Sequence, residues 1–380
     1  MFLDFIQNGQ AHGPVAEAVA GCRFDPGLLR PYINSRGQKC VTVKNTAGQD
    51  EVYTVGDLIA RGVSSPVLNA TSLRKEEWVE MDRVVIRAAR QRLRAWSDLA
   101  GANSYGGFNG MAKTFLEHET MSDPGEAVVD MDGLSEGRTD SPKFQLEGLP
   151  LPITHSDFWF SARRLAASRN GGTPLDTTMA EAAARRVAEM IEKTLIGVET
   201  GITYGTSAAG AAGIPYGRTP SVYGYTNFPS RITKTDLNTP TGSNPSDIMA
   251  DVIEMRELLY DNKFYGPFML YHSTGYDRYF DDDYYRSGGT SVLQTLRQRI
   301  ESIDGIAGVR RLDFLTSGYV MIMVQMTADV ARAINGMDIT TVQWESVGGM
   351  RLNFKVMAIQ VPQLRADYNG KCGICHGTTS

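Results

Sequence analysis

The chain has 380 residues and a mass of 41.7 kDa, more than one hydrophobic core usually holds, so we expect two or more subdomains. Hydrophobic residues make up 42% of the sequence and charged residues 21%, which excludes a wholly disordered chain, and no apolar run approaches the about 18 residues of a membrane-spanning helix. The net charge of -5 gives the whole chain no attraction for nucleic acid, so any such contact needs a local basic patch.

Residues 1–72 lack a regular hydrophobic period and are expected to form an extended arm. The first residues, MFLDFIQNGQ, lack the basic and apolar regions of a signal peptide, so we expect the protein to stay inside the cell that makes it. Two strand candidates, CVTVKN and EVYTV, predict a small hairpin within the arm. The apolar residues of the arm are too scattered to form a core, and we expect it to lie on another surface.

Residues 73–99 are predicted to form one helix with two stripes. The apolar stripe recurs at helical spacing and consists of Trp78, Met81, Val85, Ala89 and Trp96. The basic stripe consists of Arg83, Arg87, Arg90 and Arg94. Two interpretations of the basic stripe stay open: a solvent-exposed face partly paired with nearby glutamates, or a surface directed at phosphates or at an acidic neighbour.

Residues 117–147 are strongly acidic, with nine acidic and two basic side chains. Turn residues interrupt the segment, and residues 127–131 and 144–146 are strand candidates, which predicts a projecting two-stranded loop. Such a loop buries little against its own subunit and needs a partner. The candidates for contact between subunits on this loop are Glu117, Glu119, Glu126, Asp130, Asp132 and Lys143. The candidate basic surface that would receive it on a neighbour consists of Arg163, Arg164, Arg169, Arg185 and Arg186.

A second long helix is predicted from about residue 176 to residue 196, where strong helix formers follow a capping position. Its predicted apolar face consists of Met179, Ala183, Val187, Met190 or Ile191, and Leu195. Further helices are predicted over residues 244–260, 273–285 and 291–302. Strands are predicted over residues 267–272, 318–326, 339–344 and 350–361.

A search for catalytic, cofactor and metal motifs yields no assignment. The glycine-rich stretch near residue 205 lacks the Gly-Lys-Ser/Thr of a phosphate loop. The pattern CGICH at residues 372–376 has the spacing of a haem attachment site, and zinc with Cys22 and Cys40 is the alternative, but we favour an exposed tail with two free thiols. The acidic residues at 277–283 are either a cation site or, as we favour, the polar edge of a helix whose aromatic rings pack inward.

The order of these elements resembles capsid proteins with the HK97-type fold, and the encapsulin branch in particular. The segment LRKEEWVEMDRVVIRAARQRLRAW is similar to the N-terminal helix that encapsulins place on the inner wall, and the acidic loop lies where the family has its E-loop. The segment beginning FWFSARRLAASRNGG is similar to the entry to the spine helix, and NPSDIMADVIEMRELLYDNKFYGPFMLYH is similar to the axial domain. The arm of residues 1–72 has no counterpart in typical encapsulins and is more usual in tailed-phage major capsid proteins.

The resemblance implies an α+β fold of the HK97 type with an N-terminal arm, an extended E-loop hairpin, a peripheral domain with a long spine helix, and an axial domain. The expected boundaries are 1–72 for the arm, 73–113 for the N-terminal helix and the start of the peripheral domain, 114–152 for the E-loop, 153–200 for the peripheral domain with the spine helix, 201–325 for the axial domain, 326–365 for the return strands of the peripheral domain, and 366–380 for a C-terminal tail.

The function that the resemblance implies is that of a major capsid protein, which self-assembles as hexamers and pentamers into an icosahedral shell around the double-stranded DNA of a tailed phage. The implied partners are copies of the chain, non-specifically bound DNA facing Arg83, Arg87, Arg90 and Arg94, and scaffold, portal and decoration proteins, without a membrane. The implied location is the virion, after assembly in the host cytoplasm. Lys143 with Asn353 or Asn369 has the residue types of the crosslink found in some such shells.

Two alternatives stay open. One is an encapsulin shell enclosing a cargo enzyme. The other is a soluble enzyme that uses a metal at residues 277–283. We expect no enzymatic activity, no cofactor and no metal.

Overall fold

The computed structural model describes residues 32–44, 50–54, 56–57, 73–90, 93–121, 131, 141, 144–171, 177–198, 202–203, 221–241, 245–286, 290–315, 318–345, 350–367 and 369–379. The predicted strand at residues 127–131 lies outside them except for its last residue. None of the described helices has the length and apolar character needed to cross a membrane.

The elements are numbered in chain order. The helices are α1 (Lys75–Arg90), α2 (Ala95–Ala102), α3 (Ala162–Gly171), α4 (Thr178–Ile196), α5 (Pro245–Asp261), α6 (Thr274–Phe280) and α7 (Leu296–Glu301). The strands are β1 (Tyr32–Ile33), β2 (Lys39–Lys44), β3 (Asp50–Thr54), β4 (Leu73–Arg74), β5 (Ser104–Tyr105), β6 (Phe115–Met121), β7 (Phe144–Pro150), β8 (Thr154–Ser161), β9 (Ile202–Thr203), β10 (Ser221–Val222), β11 (Ile232–Lys234), β12 (Phe268–His272), β13 (Asp283–Arg286), β14 (Thr290–Thr295), β15 (Ile306–Arg311), β16 (Val320–Gln325), β17 (Ala331–Glu345), β18 (Arg351–Leu364) and β19 (Ile374–Thr378).

Four strands in the order β5-β17-β18-β8 form a sheet with helices on one face, and we call this sheet and its helices the peripheral unit. Helix α4 lies on β8 and β18, while α1 and α2 lie beside it on β17. Alternation along β8 buries Phe158 and Phe160 beneath the helices, where they pack on Phe354 of β18 with ring centroids 5.2 and 5.6 Å apart. The sheet and helices thus enclose an aromatic core.

Five strands in the order β11-β19-β16-β12-β15 form a second sheet, and we call it, with α5, α6 and α7, the axial unit. The predicted helix at residues 244–260 is confirmed, since α5 buries Ile248, Val252, Met255 and Leu259. The predicted strands at residues 267–272 and 318–326 are confirmed as the buried β12 and β16. The largest buried apolar cluster contains residues of both sheets, so the two units share one core.

Two predicted helices of the axial unit are partly wrong. Helix α6 ends at Phe280, and β13 follows from Asp283. Strand β14 covers residues 290–295, so α7 begins only at Leu296, where Thr295 forms a capping box with Gln298. The physical reason is that β13 and β14 pair with each other, which satisfies their backbone groups outside a helix.

The single helix predicted over residues 73–99 is two helices. Its apolar stripe is confirmed, because the five stripe residues are all buried. Helix α1 ends at Arg90 and α2 begins at Ala95, where the N–H groups of Ala95 and Trp96 donate to the side chain of Glu192 on α4. The N-terminus of α2 is therefore capped by a residue of a distant helix, which no local sequence pattern predicts.

The second long helix is confirmed as α4, although one residue of its predicted apolar face is wrong. Met179 is half-exposed, and so is Met190, whereas the alternative Ile191 is buried. The buried face instead contains Ala180, Ala184 and Ala188. Small side chains let α4 approach the sheet closely, so alanine rather than the larger methionine occupies the contact.

The prediction that residues 366–380 form an exposed tail is wrong. Residues Ile374–Thr378 form β19, which lies inside the axial sheet between β11 and β16. Cys372 and Cys375 are fully buried rather than exposed. The segment has too few apolar residues to read as a core strand, but its glycines allow close packing: a Cβ on Gly377 would lie 2.8 Å from Leu237 Cδ1.

The predicted hairpin of the arm is confirmed, because β2 and β3 pair in antiparallel register from Cys40↔Thr54 to Lys44↔Asp50. They belong to a small sheet of order β3-β2-β1-β4, in which the parallel pair of β1 with β4 attaches it to the start of α1. The predicted projecting loop begins with the antiparallel pair of β6 and β7, whose register runs from Phe115↔Pro150 to Met121↔Phe144.

Candidate functional site

The peripheral unit has two broad faces that differ in chemistry. The helix side carries the arginines of α1 and the exposed side of α4. On the opposite face of the sheet, β7 and β10 cover one end, where Leu149, Val222 and Ile359 form a small apolar cluster. At the other end of that face, Trp159 and Arg351 are exposed. We therefore treat the site as a set of exposed surfaces rather than a pocket.

Three of the four predicted arginines meet on one surface of α1. Arg83, Arg87 and Arg90 surround Ile86 in a shallow concavity of about 490 Å³, which we call the arginine face. Arg83 Nη2 lies 2.8 Å from Glu80 Oε1, whereas Arg87 and Arg90 form no ion pair within the described residues. Because these two exposed arginines form no ion pair within the described residues, they can bind the phosphates of a polyanion without breaking an ion pair there.

Arg94 does not join the arginine face. It is the N-cap residue of α2, and its Nη1 atom is 3.9 Å from Asp313 Oδ2 of the axial unit. The predicted basic stripe included Arg94 only because the prediction treated residues 73–99 as one continuous helix.

The root of the β6–β7 hairpin is fixed to the peripheral unit. Arg365 Nη2 donates a hydrogen bond to the carbonyl oxygen of Glu119 at 3.1 Å. His118 lies opposite Glu147 across the two strands, and its Nε2 atom is 3.4 Å from Glu147 Oε2. Glu117 and Glu119 point to solvent, as an acidic contact surface requires. The other candidates on this loop, Glu126, Asp130, Asp132 and Lys143, lie outside the described residues.

Four of the five basic candidates lie on exposed helix surface. Arg163 and Arg164 are in the first turn of α3, and Arg185 and Arg186 are near the middle of α4. Arg185 Nε lies 3.9 Å from Glu189 Oε1 on the next turn, whereas Arg163 and Arg186 form no ion pair in the part of the chain that the structure describes. Arg169 lies in α3, and its side chain is outside the description.

The uncovered end of the sheet carries an aromatic and cationic surface that was not predicted from the sequence. Trp159 is 50% exposed, and Arg351 stacks on it with Cζ 4.0 Å from the ring centroid. Trp344 is aligned with Trp159 across Asn353, and Lys355 Nζ lies 5.4 Å from the Trp344 ring. Strict alternation in THSDFWFS was the available signal, since it places the tryptophan opposite the two buried phenylalanines.

The two alternatives based on metal binding gain no support. Asp277 is bound by Arg311 at 2.7 Å and by Arg297 at 3.4 Å, so its charge is already balanced by arginines. Arg297 also lies 3.0 Å from Asp281. Among the described residues, no three His, Cys, Asp or Glu side chains form a group that could hold a metal ion.

The CGICH segment has the chemistry of a buried strand. Burial raises the pKa of the Cys375 thiol to about 12 and raises that of Cys372 further, so both are protonated thiols in this buried setting. Burial, with the nearby Arg231 as a smaller cause, lowers the pKa of His376 to about 4. We therefore assign Cys372 and Cys375 to the buried core, with His376 partly buried beside Cys375 on β19.

Comparisons with known proteins give one family and a set of similar structures. The profile of a family of unknown function, DUF6260, matches residues 69–377. No curated protein matches the sequence. A virus-like particle from Pyrococcus furiosus is similar over 79% of this chain and 99% of that chain, with 14% identity and a TM-score of 0.51.

Two phage structures are similar to the same degree. The capsid of Myoviridae phage XM1 is matched over 74% of this chain and 92% of that chain, with 13% identity and a TM-score of 0.51. A protein of Mycobacterium phage Bobi is matched over 74% and 90%, with 13% identity and a TM-score of 0.50. At this identity the likeness shows the fold, and the predicted α+β fold of the HK97 type is confirmed.

Proposed function

The chain belongs to the family of unknown function DUF6260, and we propose that it is the major capsid protein of a tailed bacteriophage, which self-assembles into an icosahedral shell enclosing double-stranded DNA. The observation that carries the proposal is the HK97-type fold, shared with the capsid of phage XM1. Its role is structural rather than enzymatic, and its place is the virion. The proposed divisions of the chain are those given above, except that residues 374–378 belong to the axial unit.

Contacts between copies would use charged and aromatic side chains that are exposed in a single copy. The hairpin exposes Glu117 and Glu119, and Phe144 at its far end is 63% exposed. A basic surface such as Arg163 with Arg186 is complementary to it, and each exposed ion pair would contribute about 0 to 1 kcal/mol. Many such contacts repeat in a closed shell, so weak individual pairs can support a stable assembly.

The arginine face is the proposed contact with DNA. Its exposed guanidinium groups and the absence of an acidic partner for Arg87 and Arg90 within the described chain favour phosphate contacts, which carry no sequence preference. Helix α1 lies on one side of the sheet and Trp159 on the other, so placing the arginine face toward the lumen directs the tryptophan surface outward.

Electron microscopy of the purified protein with nuclease treatment tests the proposal. We expect closed shells that contain nuclease-resistant DNA. Small oligomers alone would contradict the assembly, and empty shells that never retain DNA would contradict the packaging.

The arginine face has a separate test. We measure duplex DNA binding by the unassembled chain at several salt concentrations. The slope of log K against log salt is negative, and in Arg87→Ala/Arg90→Ala we expect it to be shallower than in the wild-type protein by about 2, because each lost phosphate contact removes about 0.9. The matched control is Arg278→Ala/Lys371→Ala, which removes two exposed cations elsewhere. Equal slopes for the two double variants would remove the arginine face from the proposal.

An encapsulin shell is the second candidate. The observation that favours it is the match to the Pyrococcus furiosus virus-like particle, which extends over 99% of that chain. It predicts small particles in which a co-purified enzyme replaces nuclease-resistant DNA, so the same preparation distinguishes the two functions.

A further inference from the structure

Strand β3 is an edge strand of the small sheet in the arm. Among the described strands, the order β3-β2-β1-β4 gives β3 a neighbour on one side only. The side chain at the centre of β3, Val52, is 58% exposed. The strand contains no proline or lysine, and its pairing with β2 has no bulge, so it lacks three features that commonly protect an edge from pairing with another chain.

The small sheet is a folded addition to the family's common part. Strands β1, β2 and β3 all precede residue 69, where the match to the DUF6260 model begins. Cys40, Val41 and Leu73 of this sheet are each at most 2% exposed, so it contains a buried interior of its own. Because β1 pairs with β4 directly before α1, the edge of β3 is presented by an ordered sheet attached to the peripheral unit.

The sequence of β3, DEVYT, is complementary to itself in antiparallel register. When the β3 strands of two copies lie side by side with Val52 opposite Val52, Glu51 of each copy lies opposite Tyr53 of the other. Asp50 then lies opposite Thr54, so each acidic residue meets a residue that carries a hydroxyl group. A parallel arrangement in the same register would instead place Glu51 beside Glu51, and adjacent like charges are destabilising.

The contact between a carboxylate and a hydroxyl is already present on this strand. Tyr53 Oη donates a hydrogen bond to Glu51 Oε2 at 2.5 Å, so these two side chains lie on one face of β3. Val52 lies on the opposite face and would pack on Val52 of the second copy, which buries apolar area. At the other end of the strand, Lys44 of β2 is the register partner of Asp50, so a basic residue of the same copy accompanies this acidic residue.

We propose that β3 is a contact between two copies of this chain, in which the two β3 strands pair antiparallel about a twofold axis at Val52. The two small sheets then form one continuous sheet of eight strands, four from each copy. A contact through five residues is small, so it is weak between free chains and gains strength where other contacts hold the copies together. The inference goes beyond the proposed function, because it concerns strands outside the family model and needs only two copies.

Disulfide formation in cysteine variants of the full-length chain tests this contact, in concentrated unassembled protein and in assembled particles. Directly opposite residues of antiparallel strands have Cβ atoms about 4.5 to 5.5 Å apart, which a small adjustment brings within disulfide range. Under mild oxidation we expect Val52→Cys to form roughly tenfold more disulfide-linked dimer than Val79→Cys, because paired strands raise the effective concentration of the two thiols. Val79 is the matched control, since it is 59% exposed on α1. Mass spectrometry locates the bond, because the chain has four cysteines of its own.

A mixture of two further variants tests the register. We expect Glu51→Cys protein and Tyr53→Cys protein to form the mixed 51–53 dimer in preference to 51–51 and 53–53 dimers, since only the mixed pair is directly opposite. Wild-type protein provides the background from the native cysteines.

A 52–52 dimer that is no more abundant than the Val79→Cys dimer, in both preparations, would overturn the proposal. A bond from residue 52 to any other position, or the absence of a preference for the 51–53 dimer, would overturn it as well. If Val52→Cys does not fold, the mixture of the other two variants decides alone. Shells that form without these disulfides leave the proposed function standing, and a 52–52 bond between chains that never form shells leaves this contact standing.

Discussion

The C-terminal strand offers a direct test of the axial core. Ile374 is fully buried and lies opposite Val324 of β16 in the antiparallel pair. Replacing it with alanine removes three buried carbon atoms and leaves a cavity, which at a well-packed site costs about 2 to 5 kcal/mol. Since globular domains are stable by only about 5 to 15 kcal/mol, Ile374→Ala should lower the free energy of unfolding by a large fraction.

The assay is urea unfolding of the unassembled chain followed by tryptophan fluorescence, with the slope of the free energy against urea compared between variants. Lys371→Ala is the control, because that side chain is exposed three residues earlier in the same segment, and its effect should stay within about 0.5 kcal/mol. A change of less than about 0.5 kcal/mol for Ile374→Ala, with an unchanged slope, would mean that the segment is the free tail that its sequence suggests.

The remaining predictions concern three other contacts. Gly224→Ala should destabilise the chain by about 1 to 3 kcal/mol in thermal unfolding, because the new Cβ would lie 2.3 Å from the carbonyl oxygen of Thr194, whereas Gly101→Ala on open helix surface should be neutral or stabilising. Asp277→Asn should lower the free energy of unfolding, because it weakens the ion pair with Arg311 at 2.7 Å, and this loss should become smaller as salt is added. A difference between wild type and variant that does not change with salt would contradict this. Because the pKa of Glu192 is raised from 4.5 to about 7, this group contributes about 3 kcal/mol that is present below pH 4.5 and lost as the pH rises through 7, and Glu192→Gln should remove that slope from the pH dependence of unfolding.

Periodic patterns were sufficient for the long elements. The apolar stripes at Trp78 to Ala89 and at Ile248 to Leu259 follow the helical period, and the structure buries both. The continuous apolar run that contains Val320–Gln325 is likewise a buried strand. These predictions succeed because the burial of one face is decided by spacing within a single element.

The arginine face was predictable only in part. Residues 83, 87 and 90 are separated by four and three residues and lie on the same face of α1, so local spacing brings them together. Whether Arg94 joined them depended on the helix continuing, and that was decided by a carboxylate about a hundred residues away along the chain.

The sequence by itself determined the long amphipathic helices, the continuous buried strands, most of their apolar faces, and the order of elements that indicates the HK97-type fold. Only the tertiary structure decided that residues 374–378 form a central strand, that Glu192 caps α2, and that the exposed Trp159 and the half-buried Trp344 lie on one face of the sheet. The reason is physical: spacing along the chain fixes the periodicity of one element, whereas strand partners, caps from distant helices and shared surfaces arise when elements far apart in sequence satisfy each other's backbone groups.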